Sequence, residues 1–471
     1  MTPESVIGLE VHVRLRTRTK IFCACRNAYG APPNSLTCPV CLGLPGALPV
    51  LNKAAVELAL RLGLALGCRV RLRSRFARKC YFYPDLPRNY QITQHDEPLC
   101  EGGRLEIGDR EITLERIHLE DDAGRMLDRA ADQCLDFNRA GAPLAEIVTR
   151  PDLRSGEEAR LFLRALRRLL RALDVCDGDM EKGSLRCDAN ISLRPAAGAK
   201  TGPRVELKNL NTMRGVRRAL DHEAARQATR LAAGRPLVPE TRGWDARRGE
   251  TFRMRLKEAS SEYRYFPEPD LPPLVVDEDR LASIRRALPE LPANRERRYV
   301  AALGLDAGAA ATLCESPALA AYFEAMTRAL DDASACANWV TGEVLRICRE
   351  RTLNAAAFPV LPGEAAALLR RVAGGRLSLG AAKSVFASMV AEGLTAAAAL
   401  ARADLELIAD RGALAPVVDR VLAENPDQVA SWRAGKTGVA DWLIGRVMAA
   451  TGGRADPALV AGIVRARLAD D

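Results

Sequence analysis

The sequence predicts an α+β fold: a mixed, largely antiparallel sheet in the N-terminal part, an all-α region after it, and a small α-helical tail. Three observations carry this. Up to about residue 290, short stretches alternating apolar and polar residues are interleaved with amphipathic helices and with Pro and Gly. Strand signals fade after "EPDLPPLVVDEDRLASIRRALPELPANRERR", and the chain becomes Ala-rich with helical spacing. A softer change of character falls near residue 403. The expected domains are 1–292, 293–402 and 403–471.

The first element is "IGLEVHVRL". Leu9, Val11, Val13 and Leu15 fall on one strand face, Glu10 and His12 on the other. A strand with one wet face explains that alternation by itself; a metal-binding or catalytic pair is the sharper alternative. Next comes "CACRNAYGAPPNSLTCPVC", in which Cys23, Cys25, Cys38 and Cys41 form C-x-C and C-x-x-C pairs around a Gly-Pro-Pro-Asn turn. Two close-spaced thiolate pairs can close a tetrahedral Zn²⁺ site, and with no open position the zinc is structural. "RVRLRSRFARK" places Arg69, Arg71, Arg73 and Arg75 on one face of a strand. "SGEEARLFLRALRRLLRALD" is a helix with the stripe Leu166, Leu169, Leu170 and Leu173, and Arg164, Arg167, Arg168 and Arg171 repeat on another side. Either basic row is a solvated face or a track for a phosphate backbone.

Further strands carry polar residues in apolar surroundings. "RKCYFYPDLPRNYQ" holds Lys79 beside tyrosines. "RIHLEDDAGR" holds His118, Glu120, Asp121 and Asp122, and "DFNRAGAPLAEIVTRPD" holds Asn138, Arg139 and Glu146. "SLRCDANISLR" alternates Arg186, Asp188, Asn190 and Ser192 against Leu185, Cys187, Ala189 and Ile191. "VELKNLNTM" adds Lys208, Asn209 and Asn211. Together these supply carboxylates for a hard cation, lysines for phosphate oxygens and amides for orientation, the inventory of an ATP–Mg²⁺ site built on a sheet. In the helical part, "SLGAAKSVFASMVAEG" has a Ser378 cap, the stripe Ala382, Val385, Phe386 and Met389, and Gly393 at its end. Two motifs are decoys. "RAGKTG" lacks the leading glycine of a phosphate loop, where Ala430 stands, and "HEAAR" lacks the second histidine of a zinc protease.

Bulk properties bound the function. Lys and Arg exceed Asp and Glu by nine, which favours a polyanionic partner. The segment from Ala401 to Asp471 holds 9 basic and 10 acidic residues, so RNA contact there must rest on shape and a few side chains. Hydrophobic and charged fractions of 48% and 27% exclude a disordered chain. No apolar run reaches the roughly 18–20 residues of a membrane span, and no secretory signal is evident. The 13 cysteines, mostly in apolar contexts, suit buried thiols in a reducing cytoplasm better than a disulfide framework.

The stretches "IGLEVHVRLRTRTKIFCAC", "CPVCLGLPGALPVLN", "RKCYFYPDLPRNYQ", "HLEDDAGR", "DFNRAGAPLAEIV", "LRCDANISLRP", "ELKNLN" and "YRYFPEPDLPP" resemble, in order, the signatures of the B subunits of the bacterial-type aspartyl/glutamyl-tRNA amidotransferases. "VVDRVLAENPDQVASWRAGKTGVADWLIGRVMAATGGRADPALV" resembles that family's tail. The resemblance implies a cradle related to glutamine synthetase, a helical domain and a tRNA-contacting tail. It implies a heterotrimer in which the other two members are a glutaminase, the A subunit, with a small C subunit, and in which ammonia is delivered from glutamine. It also implies ATP-dependent phosphorylation of the side-chain carboxylate of misacylated tRNA. On that basis Glu10, His12, Glu120 and Glu146 are the Mg²⁺ ligands, and Lys79, Asn190, Lys208 and Asn209 contact nucleotide or acyl phosphate, with Lys79 also catalytic. Departures from the family pattern are charge- or function-conserving: Arg88 for Lys, Thr93 for Ser, Asp121 for Glu, Arg125 for Lys and Glu262 for Asp. The rivals are the archaeal E subunits of the glutamate-specific enzyme, which carry a long insertion not seen between 292 and 403, and a non-catalytic zinc-containing RNA-binding protein.

Overall fold

A computed structural model describes residues 3–129, 132–195, 200–256, 263–403, 408, 410–452 and 454–469. The chain divides into two compact units, 1–294 and 295–471.

The first unit is built on a ten-stranded sheet. Its longer strands are β1 (Glu4–Arg14), β4 (Arg110–Asp121), β5 (Pro143–Thr149), β6 (Leu185–Arg194), β7 (Val205–Leu210), β8 (Glu240–Asp245) and β9 (Glu250–Leu256). Between β1 and β4 in the chain, β2 (Ala77–Cys80) and β3 (Tyr90–Thr93) join Phe266–Pro267 in a separate three-stranded sheet. The order across the main sheet is β9-β8-β7-β6-β1-β5-β4, continued by the short strands Cys100–Glu101 and Arg69–Val70, and the tenth strand, Arg104–Ile107, pairs with β4 off this path. Its ladders are antiparallel except between β7 and β8.

β1 lies near the middle of this order because it is apolar on one face and polar on the other. Leu9, Val11 and Val13 are at most 1% exposed, whereas Glu10 and His12 are half-buried. The apolar face joins a core shared with helices α1 (Lys53–Ala65), α2 (Gly156–Ala172) and α3 (Met213–Ala232). α2 begins where Ser155 Oγ accepts from the Glu158 N–H, and it buries Phe162, Leu163, Leu166 and Leu170 completely. α3 is capped in the same way by Thr212.

The basic strand expected at "RVRLRSRFARK" is instead three short strands. Arg69–Val70 pairs with Cys100–Glu101, Arg73–Ser74 with Leu274–Val275, and Ala77–Cys80 with β3. The segment changes partner twice, so its arginines form no continuous row, and Arg69 and Arg71 both pair with Glu101.

The second unit is helical and contains two hydrophobic clusters, one running from Tyr299 to Ala399 and one from Leu414 to Leu468. The helix expected after Ser378 spans Leu379–Glu392. Ser378 Oγ accepts from the Ala381 N–H, and Ala382, Val385, Phe386 and Met389 are at most 1% exposed. Among the described residues no single helix is long and apolar enough to cross a membrane.

Candidate active site

Strand register assembles the site. Across β1 and β5, His12 faces Glu146. Across β5 and β4, Glu146 faces His118 and Leu144 faces Glu120. Across β1 and β6, Gly8, Glu10 and His12 face Asn190, Asp188 and Arg186. Residues opposite one another in a ladder share a face, so groups more than 130 positions apart converge on the side of the sheet away from the core.

At the centre, ligand atoms of His12, Glu120 and Glu146 all lie within 4.8 Å of one another. His12 Nε2 is 3.5 Å from Glu120 Oε1 and 3.5 Å from Glu146 Oε2. His118 Nε2 is 3.4 Å from the same Glu146 oxygen and 3.9 Å from Glu120 Oε2. Thr93 Oγ1, on β3, donates to Glu120 Oε2 at 3.4 Å. Burial disfavours ionisation of Glu146, but His118 and His12 outweigh it and hold the carboxyl well below its usual range. Burial opposes a charge on His118 too, yet Glu146 and Glu120 push its pKa up to about 9.

Glu10 lies outside that tight group. It accepts from Asn190 Nδ2 at 2.9 Å. Its pKa is raised by burial and then by the carboxylates of Glu146, Glu206 and Asp188, with only His12 opposing. Glu120 and Glu146 offer carboxylate oxygens beside the His12 imidazole on this face, a donor set that suits a hard divalent cation. Lys208 spans the far side, 2.6 Å from Asp188 and 3.1 Å from Glu206. Lys79 is half-buried on β2, its Nζ 4.8 Å from the centre of the Tyr263 ring. Burial works against its charge, but the Tyr265 hydroxyl, Glu120 and Glu146 outweigh burial and raise its pKa.

The structure thus brings His12, Glu120 and Glu146 into one cluster and places Glu10 and Asn190 beside each other on the same face. Asn209 is elsewhere: it is exposed and left-handed (φ 63°), following Lys208 near the irregular pairing of β6 with β7. Glu262 lies outside the described residues. Around the site, Arg88 pairs with the buried Asp121, whose other oxygen accepts from the Ile92 N–H at 2.8 Å. Arg186 is 2.7 Å from Asp122. Three residues of the polar face had no role assigned from sequence: His118, Asp188 and Glu206. Their signal was present as alternation, H-x-E in "IHLED", D-x-N in "CDAN" and E-x-K in "VELK".

The four cysteines also converge: the sulphurs of Cys23, Cys25, Cys38 and Cys41 lie within 4.8 Å of one another. A zinc tetrahedron with Zn–S bonds of about 2.3 Å has edges of about 3.8 Å, which these positions approach. Hydrogen bonding with Cys23, the Cys38 N–H and the charge of Lys20 outweigh burial and bring the Cys41 thiol below the usual thiol range. Gly43 follows with φ 67°, and a Cβ there would stand 2.1 Å from Arg88 Cγ, so only glycine lets the loop pack on the arginine that holds Asp121.

Two family models match the chain, a GatB/GatE catalytic domain at residues 5–282 and a GatB domain at residues 321–468. The B subunit of the aspartyl/glutamyl-tRNA(Asn/Gln) amidotransferase of Anaeromyxobacter dehalogenans is 48% identical over 99% of this chain and 98% of its own length. The B subunits of Thermosynechococcus vestitus and Chlorobium phaeobacteroides are each 44% identical, over 99% and 100% of this chain and 97% and 100% of their own lengths. Full-length similarity of this kind favours the bacterial-type reading over both rivals. The chain belongs to the B-subunit family of the aspartyl/glutamyl-tRNA(Asn/Gln) amidotransferases.

Proposed function

We propose that this chain uses ATP to activate the side-chain carboxylate of Glu on tRNA(Gln), of Asp on tRNA(Asn), or of both, for amidation by ammonia. The observation that carries this is the cluster of His12, Glu120 and Glu146 on a polar sheet face with Lys79 nearby. A carboxylate resists ammonia because its oxygen is a poor leaving group; once phosphorylated, it loses phosphate instead when ammonia attacks.

Glu10, His12, Glu120 and Glu146 would hold Mg²⁺, which supplies charge neutralisation on the transferring phosphoryl group. Lys79 and Lys208 offer ammonium groups for phosphate oxygens, and Asn190 fixes Glu10. Asn209, exposed beside Lys208, is a candidate contact at the rim. Buried Glu120 and Glu146 are held by the imidazoles of His12 and His118 and need no reorganisation when ligand arrives. Cys23, Cys25, Cys38 and Cys41 would hold a structural Zn²⁺.

The working assembly is a cytoplasmic heterotrimer with the glutaminase and the small third protein of the complex, and misacylated tRNA is the substrate. With domain boundaries at 292 and 403, the cradle would carry the chemistry and the tail would contact tRNA, a reading supported by the separate cluster of Leu414–Leu468. With those two partners added, charged tRNA should be amidated only when glutamine, ATP and Mg²⁺ are all present. Amidation that proceeds without ATP would overturn the reading. Elemental analysis should find one zinc per chain, and zinc unchanged in the double variant Cys38→Ser, Cys41→Ser would remove the cysteine assignment.

A further inference from the structure

Lys20 is a lysine with no exposed surface, one of the largest fully buried side chains in the protein. It lies between β1 and Cys23, and its backbone N–H donates to the Cys25 carbonyl at 2.9 Å. Its Nζ donates to the Leu36 carbonyl at 2.7 Å, to Cys41 Sγ at 3.5 Å and to the Phe137 carbonyl at 3.5 Å. Among the described residues no carboxylate pairs with it. A buried ammonium without an anionic partner is costly enough that folds avoid it. Among those residues, the anion-forming group within its reach is the cysteine cluster.

The surroundings are shaped to keep it there. Gly141 is left-handed (φ 80°), and a Cβ at that position would lie 3.3 Å from Cys41 Cβ and 3.6 Å from Lys20 Cδ. The backbone of the 137–141 segment therefore closes over lysine and cysteine together. That segment leads into β5, which carries Glu146, and Asn138 straps it to the knuckle by accepting from the Leu36 N–H at 2.7 Å.

We propose that Lys20 is the built-in counter-cation of the four-cysteine site, a positioning residue that retains zinc by offsetting thiolate charge and by tying the knuckle to the strand of Glu146. Four thiolates around Zn²⁺ carry a net charge of minus two, and one buried ammonium halves it. This rests on the zinc reading above and adds to it a residue that is not a ligand. The same ammonium reaches the carbonyls of Leu36 and Phe137, so it would fix the spacing between the metal loop and the active-site sheet.

The test is zinc affinity of the full-length chain, read by competition with a chromogenic chelator, with cobalt(II) as a second probe through its thiolate charge-transfer band. Lys20→Met removes charge and donors; Lys20→Gln keeps a donor and removes the charge. Both should bind zinc at least ~10-fold more weakly than the parent, an effect of about 1.4 kcal/mol, with the far-ultraviolet circular dichroism of the zinc-loaded proteins unchanged. Zinc held by either folded variant within twofold of the parent would overturn the role of Lys20 and leave the zinc site standing. A parent chain that binds neither zinc nor cobalt would overturn the zinc reading itself, and this inference with it.

Discussion

Among the buried carboxylates of the sheet unit, two groups are balanced in different ways. Glu223 and Glu240, on α3 and β8, are 0% and 2% exposed and are met by three guanidinium groups. Arg226 reaches both acids at 2.6 and 3.1 Å, Arg242 reaches Glu240 at 3.0 Å, and Arg253 reaches it at 2.6 Å. Thr251 and Gln227 donate to Glu223 as well. Glu120 and Glu146 are also buried but are met by two imidazoles and by the charge of Lys79, while Lys208 pairs with Asp188 and Glu206 on the same face. Guanidinium is a permanent cation, so the first group is complete without a ligand. An imidazole can give up its proton and bind a metal, so the second group can exchange its counter-charge for an external cation. Burial and acidity alone do not separate structure from function here; the identity of the counter-charge does.

The largest expected effect is at Glu146. Glu146→Gln keeps size and removes the charge nearest both imidazoles. Losing metal-based stabilisation of a phosphoryl transition state costs several kcal/mol. A loss of about 4 kcal/mol would be a ~1000-fold fall in single-turnover amidation of charged tRNA by the assembled complex. An unchanged rate in the folded variant would mean that Glu120 and Glu146, like Glu223 and Glu240, serve the fold alone.

How much of this contrast was legible in the sequence depends on how each group is assembled. The four-cysteine cluster is local: its cysteines fall within 19 consecutive residues, and spacing alone indicated it. α2 was legible for the same reason, with its Ser155 cap and leucine stripe in one run. Strand alternation assigned Glu10 and His12 to the polar face. What joins them to Glu120 and Glu146 is strand register over more than 100 residues, which periodicity does not encode; the family resemblance supplied it. His118 went unassigned because its importance lies in touching both carboxylates at once. "HEAAR" reads as a broken protease motif, and Glu223 and Arg226 within it prove to belong to the arginine-balanced group.

Second in size is the matching change in the closed group. Glu240→Gln leaves three guanidinium groups short of an anion in a buried place. Removing one member of a buried pair costs about 3 kcal/mol or more. For a unit of this size that is a fall in Tm on the order of 6–12 °C. Amidation below the transition should change far less than for Glu146→Gln. Scanning calorimetry with the amidation assay checks both halves, and a large loss of rate without loss of Tm would reverse the assignment.

Glu10→Gln sharpens the boundary of the open group. Glu10 sits two residues from His12 on β1 but bonds to Asn190 rather than to the central cluster. As a cation ligand it should cost ~100-fold in amidation, about 2.7 kcal/mol, less than Glu146. Its glutamine variant retains an oxygen for the Asn190 donor, so the fold should persist. Amidation within a few-fold of the parent would confine the chemistry to His12, Glu120 and Glu146.

The smallest effect is the pH dependence of the closed group, and its sign follows from the counter-charge. Burial raises the pKa of Glu240, but Arg253, Arg242 and Arg226 outweigh it and hold the carboxyl below its ordinary value of 4.5. A carboxyl with a depressed folded pKa stabilises the fold above its unfolded pKa and loses that contribution as pH falls through the folded one. The stability gap between the parent and Glu240→Gln should therefore stay constant from neutral pH down to about pH 5. It should then narrow at lower pH as Glu240 takes up its proton, because a protonated carboxyl and a carboxamide are both neutral partners for arginine. Urea unfolding of the two chains across that range measures the gap directly. A gap that narrows already between pH 7 and pH 5 would mean that Glu240 is not held ionised by its arginines, and the distinction between fixed and open counter-charge would lose its electrostatic basis.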